Sequence, residues 1–390
     1  MSDVSARARG LVCPPFDILN QKAAALRQAG HRVISLGQAV PGFPPPDAAL
    51  EAARGALTDP NVHRYSADAG LLSLREAFCD RLREHLHIGL APDEMIVTAG
   101  GNQAFMLAAL TVLDPGDEVV LAAPYFVNHE MAIRAAGAVP IEAPTSEASG
   151  FRTRWSDIES HLTSRTRAVV LCTPSNPTGA VIEPDQLARI VRELSERGIT
   201  LISDETYMHF VFDGVHSSAA AIAGWRENVI IVGTFSKSFA MTGWRVGYCL
   251  AARQVCDQAI KIQDAMIICA PVISQVAVEA AIRDDWNYIT RFHEELRNRR
   301  SALRLALARI AAFHWEMTGG GFFAFVRIPD QYDSEQLASA ILERAHVVTI
   351  PGAAFGQCGE RFLRLSYGAV DVDALVEACS RLEKFFAVGS

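Results

Sequence analysis

Lys237 stands in "GTFSKSFAMTGWRVGY" (Gly233–Tyr248), with Arg245 eight residues on and hydroxyls and glycines around both. The approach, "NVIIVGTF", is apolar and strand-like, so a lone lysine leaves a buried strand for a turn of small residues. Such a lysine is costly unless it snorkels, is paired, or works as a neutral amine. Three other segments carry groups of matching chemistry. Asp204 ends the apolar run of "LISDETY", where it reads as a helix cap, a surface turn residue or a functional carboxylate. Tyr207 follows three residues later, as core packing or as part of the same site. "TPSNPTG" (Thr173–Gly179) is either an ordinary loop or a rigid turn presenting Asn176, with Thr173-Pro174 and Asn176-Pro177 as candidates for cis bonds. "TAGGNQAF" sets Gly100 and Gly101 before a helix, whose free N–H groups suit a phosphate. Ser236 and Arg245 could add donors to that anion, although Arg245 by itself reads as a surface ion pair.

Each signal alone is weak, and the combination is specific. An aldehyde cofactor held as an imine needs a lysine, and its phosphate needs glycine amides and an arginine. A ring nitrogen kept protonated needs a buried carboxylate, and a phenolic ring oxygen needs donors such as Tyr207 and Asn176. Those parts describe pyridoxal phosphate.

The elements that must position these groups alternate. "SLREAFCDRLREHL" has helical spacing, "EMIVTAG" reads as a strand, and "NQAFMLAALTVL" is an apolar helix closed by "DPGD". Strand-like "EVVLAAP", "AVPIEAP", "TRAVVLCTP", "ITLISDE" and "NVIIVGTF" follow, interleaved with helix-like "HEMAIRAAG" and "PDQLARIVRELSERG". The pattern predicts an α/β fold: a three-layer large domain whose mainly parallel sheet is covered on both faces. Five strands end in polar or glycine-rich turns, and ligands of such sheets bind beyond the carboxyl ends, so one pocket is expected there. Near residue 275 the pattern changes to a long charged helix, "GGGFFAFVRI", a further helix and "RFLRLSYG". This predicts a large domain over 51–275 and a smaller α+β domain from 276–390 joined by 1–50.

The bulk numbers exclude several classes. Of 390 residues half are hydrophobic and 21% charged, as in a globular protein, and the net charge of −8 argues against a general nucleic-acid binder. The longest apolar stretch, "AMIICAPVISQVAVEAAI", is broken by Pro271, Ser274, Gln275 and Glu279, so it reads as a buried helix and no membrane association is expected. The N-terminus shows no secretory pattern and the eight cysteines form no CxxC pair, which predicts a cytoplasmic protein without a disulfide framework. His85 and His87 lack a third ligand, so no metal site is expected. The arginines of "RFHEELRNRRSALR" read as a solvated helix face.

The ordered series "YSADAG", "TAGGN", "PYF", "TPSNPTG", "SDETY", "SKSFAMTGWRVGY", "LRLSYG" resembles the class I/II aminotransferases of PLP fold type I, from about Gly37 to the end of the chain. The resemblance implies that Lys237 holds pyridoxal phosphate as a Schiff base and then moves the proton of a 1,3-shift. It implies that Asp204 pairs with the ring nitrogen, that Tyr207 and Asn176 bind the ring oxygen, and that Phe126 stacks on the ring. Gly101, Asn102, Thr234, Ser236 and Arg245 would hold the phosphate, and Tyr65 would reach the phosphate of a neighbouring subunit, implying a homodimer with shared sites. Arg364 would clamp the substrate α-carboxylate, with Gly37 and Asn176 beside it.

Three positions depart from common family patterns: Thr234 replaces a frequent serine, Phe126 a frequent tryptophan, and Asn102 a lysine that meets the distal carboxylate in some aspartate-specific relatives. The last change favours neutral, aromatic or amide amino acids. The activity implied is ping-pong transfer of an amino group between an L-amino acid and a 2-oxo acid. The rivals are an oxygen-dependent oxidase, a lyase or a cyclising synthase on the same scaffold, and a non-catalytic regulator that binds the cofactor.

Overall fold

The β-branched runs form strands, and in chain order they are β1 (Ile34–Ser35), β2 (Met95–Thr98), β3 (Glu118–Ala123), β4 (Val139–Pro144), β5 (Thr166–Cys172), β6 (Thr200–Asp204), β7 (Val229–Thr234), β8 (Gly247–Leu250), β9 (Phe323–Arg327), β10 (Val347–Val348), β11 (Ile350–Pro351) and β12 (Phe362–Ser366). The computed structural model describes residues 4–284 and 287–388. Seven strands make one sheet in the order β2-β8-β7-β6-β5-β3-β4. Only β8 runs against its neighbours, pairing antiparallel with β2 and β7. The carboxyl ends of β2, β3, β5, β6 and β7 therefore share one edge, and Gly247, which starts β8, meets Thr98 and Thr234 there.

Successive residues of the central strands enter opposite cores, as a period of two requires. Val97, Leu201 and Ile231 pack with Leu74, Phe78, Leu187 and Ile190 on one face. Ile96, Ile202 and Ile230 pack with Ala104, Leu107 and Ile133 on the other. Helices thus cover both faces, which is why these strands read as continuous apolar runs.

The remaining strands form an antiparallel sheet in the order β11-β12-β9 and a parallel pair of β1 with β10. Helices Asn287–Leu307 and Ser334–Ala345 pack on a core that holds Phe322, Phe323 and Leu365. Tyr207 and Phe210, from the turn after β6, reach into this core, with the Tyr207 ring edge-on to Phe322 and Phe323 at 5.3 and 5.2 Å.

Two expectations are corrected. The apolar stretch around Pro271 is not one helix: Arg253–Ile267 ends at Ile268 (φ 65°), and a new helix, Val272–Arg283, starts behind Pro271. Proline cannot donate to a preceding turn, so the break falls there. The arginine-rich helix is not wholly solvated either. Arg299 donates to the Gly368 carbonyl at 2.7 Å and lies over Phe43, while Arg300 bonds Asp213 and the Thr318 carbonyl, each at 2.5 Å. Charge count alone does not reveal that these long side chains have buried carbonyls to satisfy. Among the described residues no helix is long and apolar enough to cross a membrane.

Candidate active site

The shared strand edge opens into a cavity of about 440 Å³ lined by Gly101, Asn102, Phe126, Asn176, Asp204, Tyr207, Thr234, Ser236, Lys237, Arg245 and Arg364, among others. Tyr65 is the one predicted cofactor residue lying elsewhere on the surface of this chain, with 78% of its area exposed. Gly37 lies behind the wall formed by Gln38 to Val40, with its carbonyl turned to Arg364.

β7 delivers Lys237 through a single helical turn, Phe235–Ser238, whose first residues are capped by the Thr234 hydroxyl accepting the Ser236 N–H at 3.1 Å. The Lys237 ammonium donates to the Ala39 carbonyl at 2.6 Å. Its pKa is depressed to about 8, first by burial and then by the charges of Arg364 and Arg245, with Asp204 opposing. An amine of this kind is partly neutral, hence nucleophilic, near physiological pH. The sequence left this lysine as snorkelling, paired or neutral; desolvation beside two guanidinium groups shifts it toward the last.

At the same edge, β2 passes through Gly100 (φ 89°) into helix Gly101–Val112. A Cβ on Gly100 would collide with the Arg245 guanidinium, so only glycine lets that group lie against the helix start. Arg245, itself at φ 57°, donates to Thr242 O at 2.9 Å and Ala99 O at 3.4 Å, with no acidic partner among the described residues, in place of the surface ion pair its sequence suggested. Ser236 Oγ lies 2.8 Å from Thr234 Oγ1. Thr234 donates to the Val246 carbonyl at 2.9 Å, so its proton serves the backbone and Ser236 remains the freer hydroxyl. Helix amides, a hydroxyl and a guanidinium bonded only to backbone carbonyls among the described residues together make a seat for an anion such as a phosphate.

Asp204, at the end of β6, is buried. Its Oδ2 accepts from His129 Nε2 at 2.9 Å and its Oδ1 from the Thr206 N–H at 2.9 Å. Burial alone would raise this carboxyl, but the His129 and Thr206 hydrogen bonds outweigh it and hold the pKa below the usual value. His129 is the residue that the sequence reading missed. It lies on helix Val127–Ala135, its ring stacked on Phe105 at 4.2 Å, and its Nδ1 is buried without a partner. With Nδ1 unpartnered, the ring proton sits on Nε2, facing the carboxylate. The available signal was the spacing of Phe126 and His129: Phe126 caps the helix and His129 lies three residues on, within its first turn. The two rings meet edge-on at 5.5 Å, with Phe126 half-buried at the cavity wall.

Opposite these groups, β12 carries Arg364, which is 1% exposed. It donates to Asn176 Oδ1 at 2.7 Å and to the Gly37 carbonyl at 2.6 Å, and its Nε has no partner. The rings of Phe355, Phe323 and Phe16 lie 4.9, 5.1 and 5.4 Å from its central carbon. Burial lowers its pKa to about 10. A buried guanidinium with neutral acceptors only, facing a cavity, is an electrostatic complement to a carboxylate. Asn176 is held by the rigid turn that the sequence indicated: Thr173-Pro174 and Asn176-Pro177 are both cis, as is Ala123-Pro124, which it did not indicate. Tyr207 is buried against Phe322 and Phe323, and that burial raises its phenol pKa.

These features agree with what the chain is similar to. The family model described as aminotransferase class I and II matches residues 31–382. The aromatic-amino-acid aminotransferase 2 of Thermococcus litoralis is 35% identical over 93% of this chain and 94% of its own. An aspartate aminotransferase of Streptomyces avermitilis is 34% identical over 98% and 96%. A solved single mutant of the Thermus thermophilus aspartate aminotransferase superimposes with a TM-score of 0.93 at 31% identity, over 99% of this chain and all (100%) of that one.

Proposed function

The chain belongs to the class I and II aminotransferases, enzymes that use pyridoxal phosphate, and from that premise we propose roles for its residues and a substrate preference. When bound, pyridoxal phosphate supplies an aldehyde that condenses with amines and a ring that accepts carbanion charge.

The cavity fits that group. Lys237 is the half-buried amine that would hold the aldehyde carbon, and once displaced by the substrate's own amine it would act as the base and then the acid of a 1,3-proton shift that starts at the substrate Cα. Asp204, its charge maintained by His129, would keep the ring nitrogen protonated. Tyr207 and Asn176 would flank the ring oxygen and Phe126 the ring face. Gly101, Asn102, Ser236 and Arg245 would hold the phosphate, with Thr234 shaping that seat through its cap. Arg364 would exchange its neutral acceptors for the substrate α-carboxylate, orienting the Cα–H bond toward Lys237; Gly37 and Asn176 would border that carboxylate.

The observation that carries the reading is Arg364, a buried guanidinium with an unpaired Nε and no acidic partner among the described residues, on the cavity wall across from a lysine titrating near 8. Substrate preference follows from the same inventory. Among the described residues, Lys237, Arg245 and Arg364 are the only lysines or arginines on the cavity lining, and each already has a role. Besides Asp204 and the His129 bonded to it, the rest of the lining is uncharged, with Gln38, Asn102, Asn128, phenylalanines, threonines and small residues among it, which supports amino acids with neutral, aromatic or amide side chains over dicarboxylates.

Exposed Tyr65 supports a homodimer in which it reaches the neighbour's phosphate. The pairing of β1 with β10 supports a small domain built from 1–50 and 276–390 around a large one at 51–275. Eight unpaired cysteines support a cytoplasmic setting. The test is a screen of amino donors with 2-oxo acid acceptors, run with and without oxygen. Amino transfer without oxygen, lost in Lys237→Ala together with the imine absorbance, is expected. Oxygen-dependent ammonia release would instead indicate an oxidase.

A further inference from the structure

The anion seat is wired to the Tyr65 loop by glutamines, two of them fully buried. Ala99, whose carbonyl accepts from Arg245, donates its N–H to Gln103 Oε1. Gln103 Nε2 donates to Gln263 Oε1 at 3.3 Å. Gln263 is 0% exposed and gives both amide protons to backbone carbonyls, those of Asp68 at 2.5 Å and Val97 at 2.9 Å. Three of its hydrogen-bonding positions are thereby used, which fixes the orientation of the amide.

The loop is tied at further points. Val97 N–H donates to the Ala69 carbonyl at 3.0 Å. Gln275, also 0% exposed, accepts from the Leu71 N–H and donates to the Ala270 carbonyl, both at 2.8 Å, and donates to Ser66 Oγ at 3.4 Å. Gly70 (φ 89°) passes so close that a Cβ there would lie 2.6 Å from Val97 and 2.8 Å from Gln275 Oε1. A surface loop held this tightly nevertheless presents an aromatic ring that is 78% exposed. Surface loops of no particular function are not usually anchored by fully buried amides.

We propose that Gln263, acting with Gln103, is a positioning residue that fixes the 65–71 loop relative to the anion seat of its own subunit and so sets where Tyr65 meets a second copy of this chain. The inference rests on the reading of Tyr65 and the homodimer given above. It makes the two phosphate seats mechanically dependent: a shift of Ala99 in one subunit moves Gln103, Gln263 and Asp68, and with them the hydroxyl offered to the other.

The test is a double-mutant cycle on cofactor affinity, with purified full-length dimers stripped of cofactor and titrated with pyridoxal phosphate by absorbance. The proteins are wild type, Gln263→Met, Tyr65→Phe and the double variant. Each single change is expected to weaken binding about tenfold, a size typical of coupled contacts, and the double variant is expected to bind no more weakly than Tyr65→Phe alone. Fold-losses that multiply in the double variant would assign Gln263 a merely structural role and overturn the proposal. Wild-type affinity in Gln263→Met, or in Tyr65→Phe, would also overturn it. Gln103→Met runs through the same cycle should Gln263→Met fail to fold. Wild-type protein that forms no imine at all would defeat the aminotransferase roles themselves, a result visible before any variant is measured.

Discussion

Arg364 Nη1 lies 2.7 Å from Asn176 Oδ1, joining β12 to the cis-proline turn across 188 residues of sequence. A neutral amide satisfies the guanidinium geometrically and leaves its charge for a ligand.

Asn176→Asp is therefore expected to raise KM for every amino donor, because an internal carboxylate would occupy Arg364. Arg364→Ala is expected to lower kcat/KM by about ten- to a hundredfold, the worth of a charged hydrogen-bond pair, with Arg364→Lys between the two. Steady-state kinetics with several donors check both, and an unchanged KM in Arg364→Ala would contradict the clamp.

Lys237 titrates near 8 in the folded chain and at 10.5 in the reference state. Between those values the unfolded chain holds a proton that the folded chain lacks, so the group's contribution to stability rises with pH across that window. Below pH 8 the folded chain carries the full penalty of a buried ammonium. Without added cofactor, Lys237→Met should gain on the order of 1–3 kcal/mol at pH 7 and less at pH 10, as read by urea unfolding. A gain independent of pH would refute the titration.

His129 holds the Asp204 carboxyl down by hydrogen bonding. Removing it in His129→Phe raises that pKa, so the acid limb of the kcat/KM profile should move to higher pH, with about a tenfold or greater loss of rate. His129→Asn, which keeps a donor, should recover part of the shift. An unmoved acid limb in His129→Phe would separate His129 from the reaction.

Asn102 opens the helix at the cavity rim, where no charge is left for a second carboxylate. Asn102→Lys is expected to raise kcat/KM for aspartate relative to phenylalanine by about tenfold, the scale of one charge-assisted contact. Wild-type turnover of aspartate matching that of neutral donors would overturn the preference.

The main sheet was legible because parallel strands covered on both faces must be apolar throughout and must end in turns. The convergence of five turns followed from that one rule, and Lys237, Asp204 and Asn176 with it. The continuity of the apolar stretch at Pro271 was misread because a run of apolar residues does not show where its backbone reverses. Arg299 and Arg300 were misread as solvated because their acceptors, Gly368 and Thr318, come from segments remote in sequence.

What the sequence determined by itself was therefore the inventory: an amine, a carboxylate, an anion seat and a guanidinium, each on a local motif whose conformation depends on near neighbours. What only the tertiary structure decided was their electrostatic state. The value near 8 at Lys237, the histidine behind Asp204 and the charge of Arg364 left for a ligand arise from burial and, apart from Arg245 beside Lys237, from groups tens to hundreds of residues away. Desolvation and Coulomb energies depend on distance in space, and the order of residues along a chain does not contain that distance.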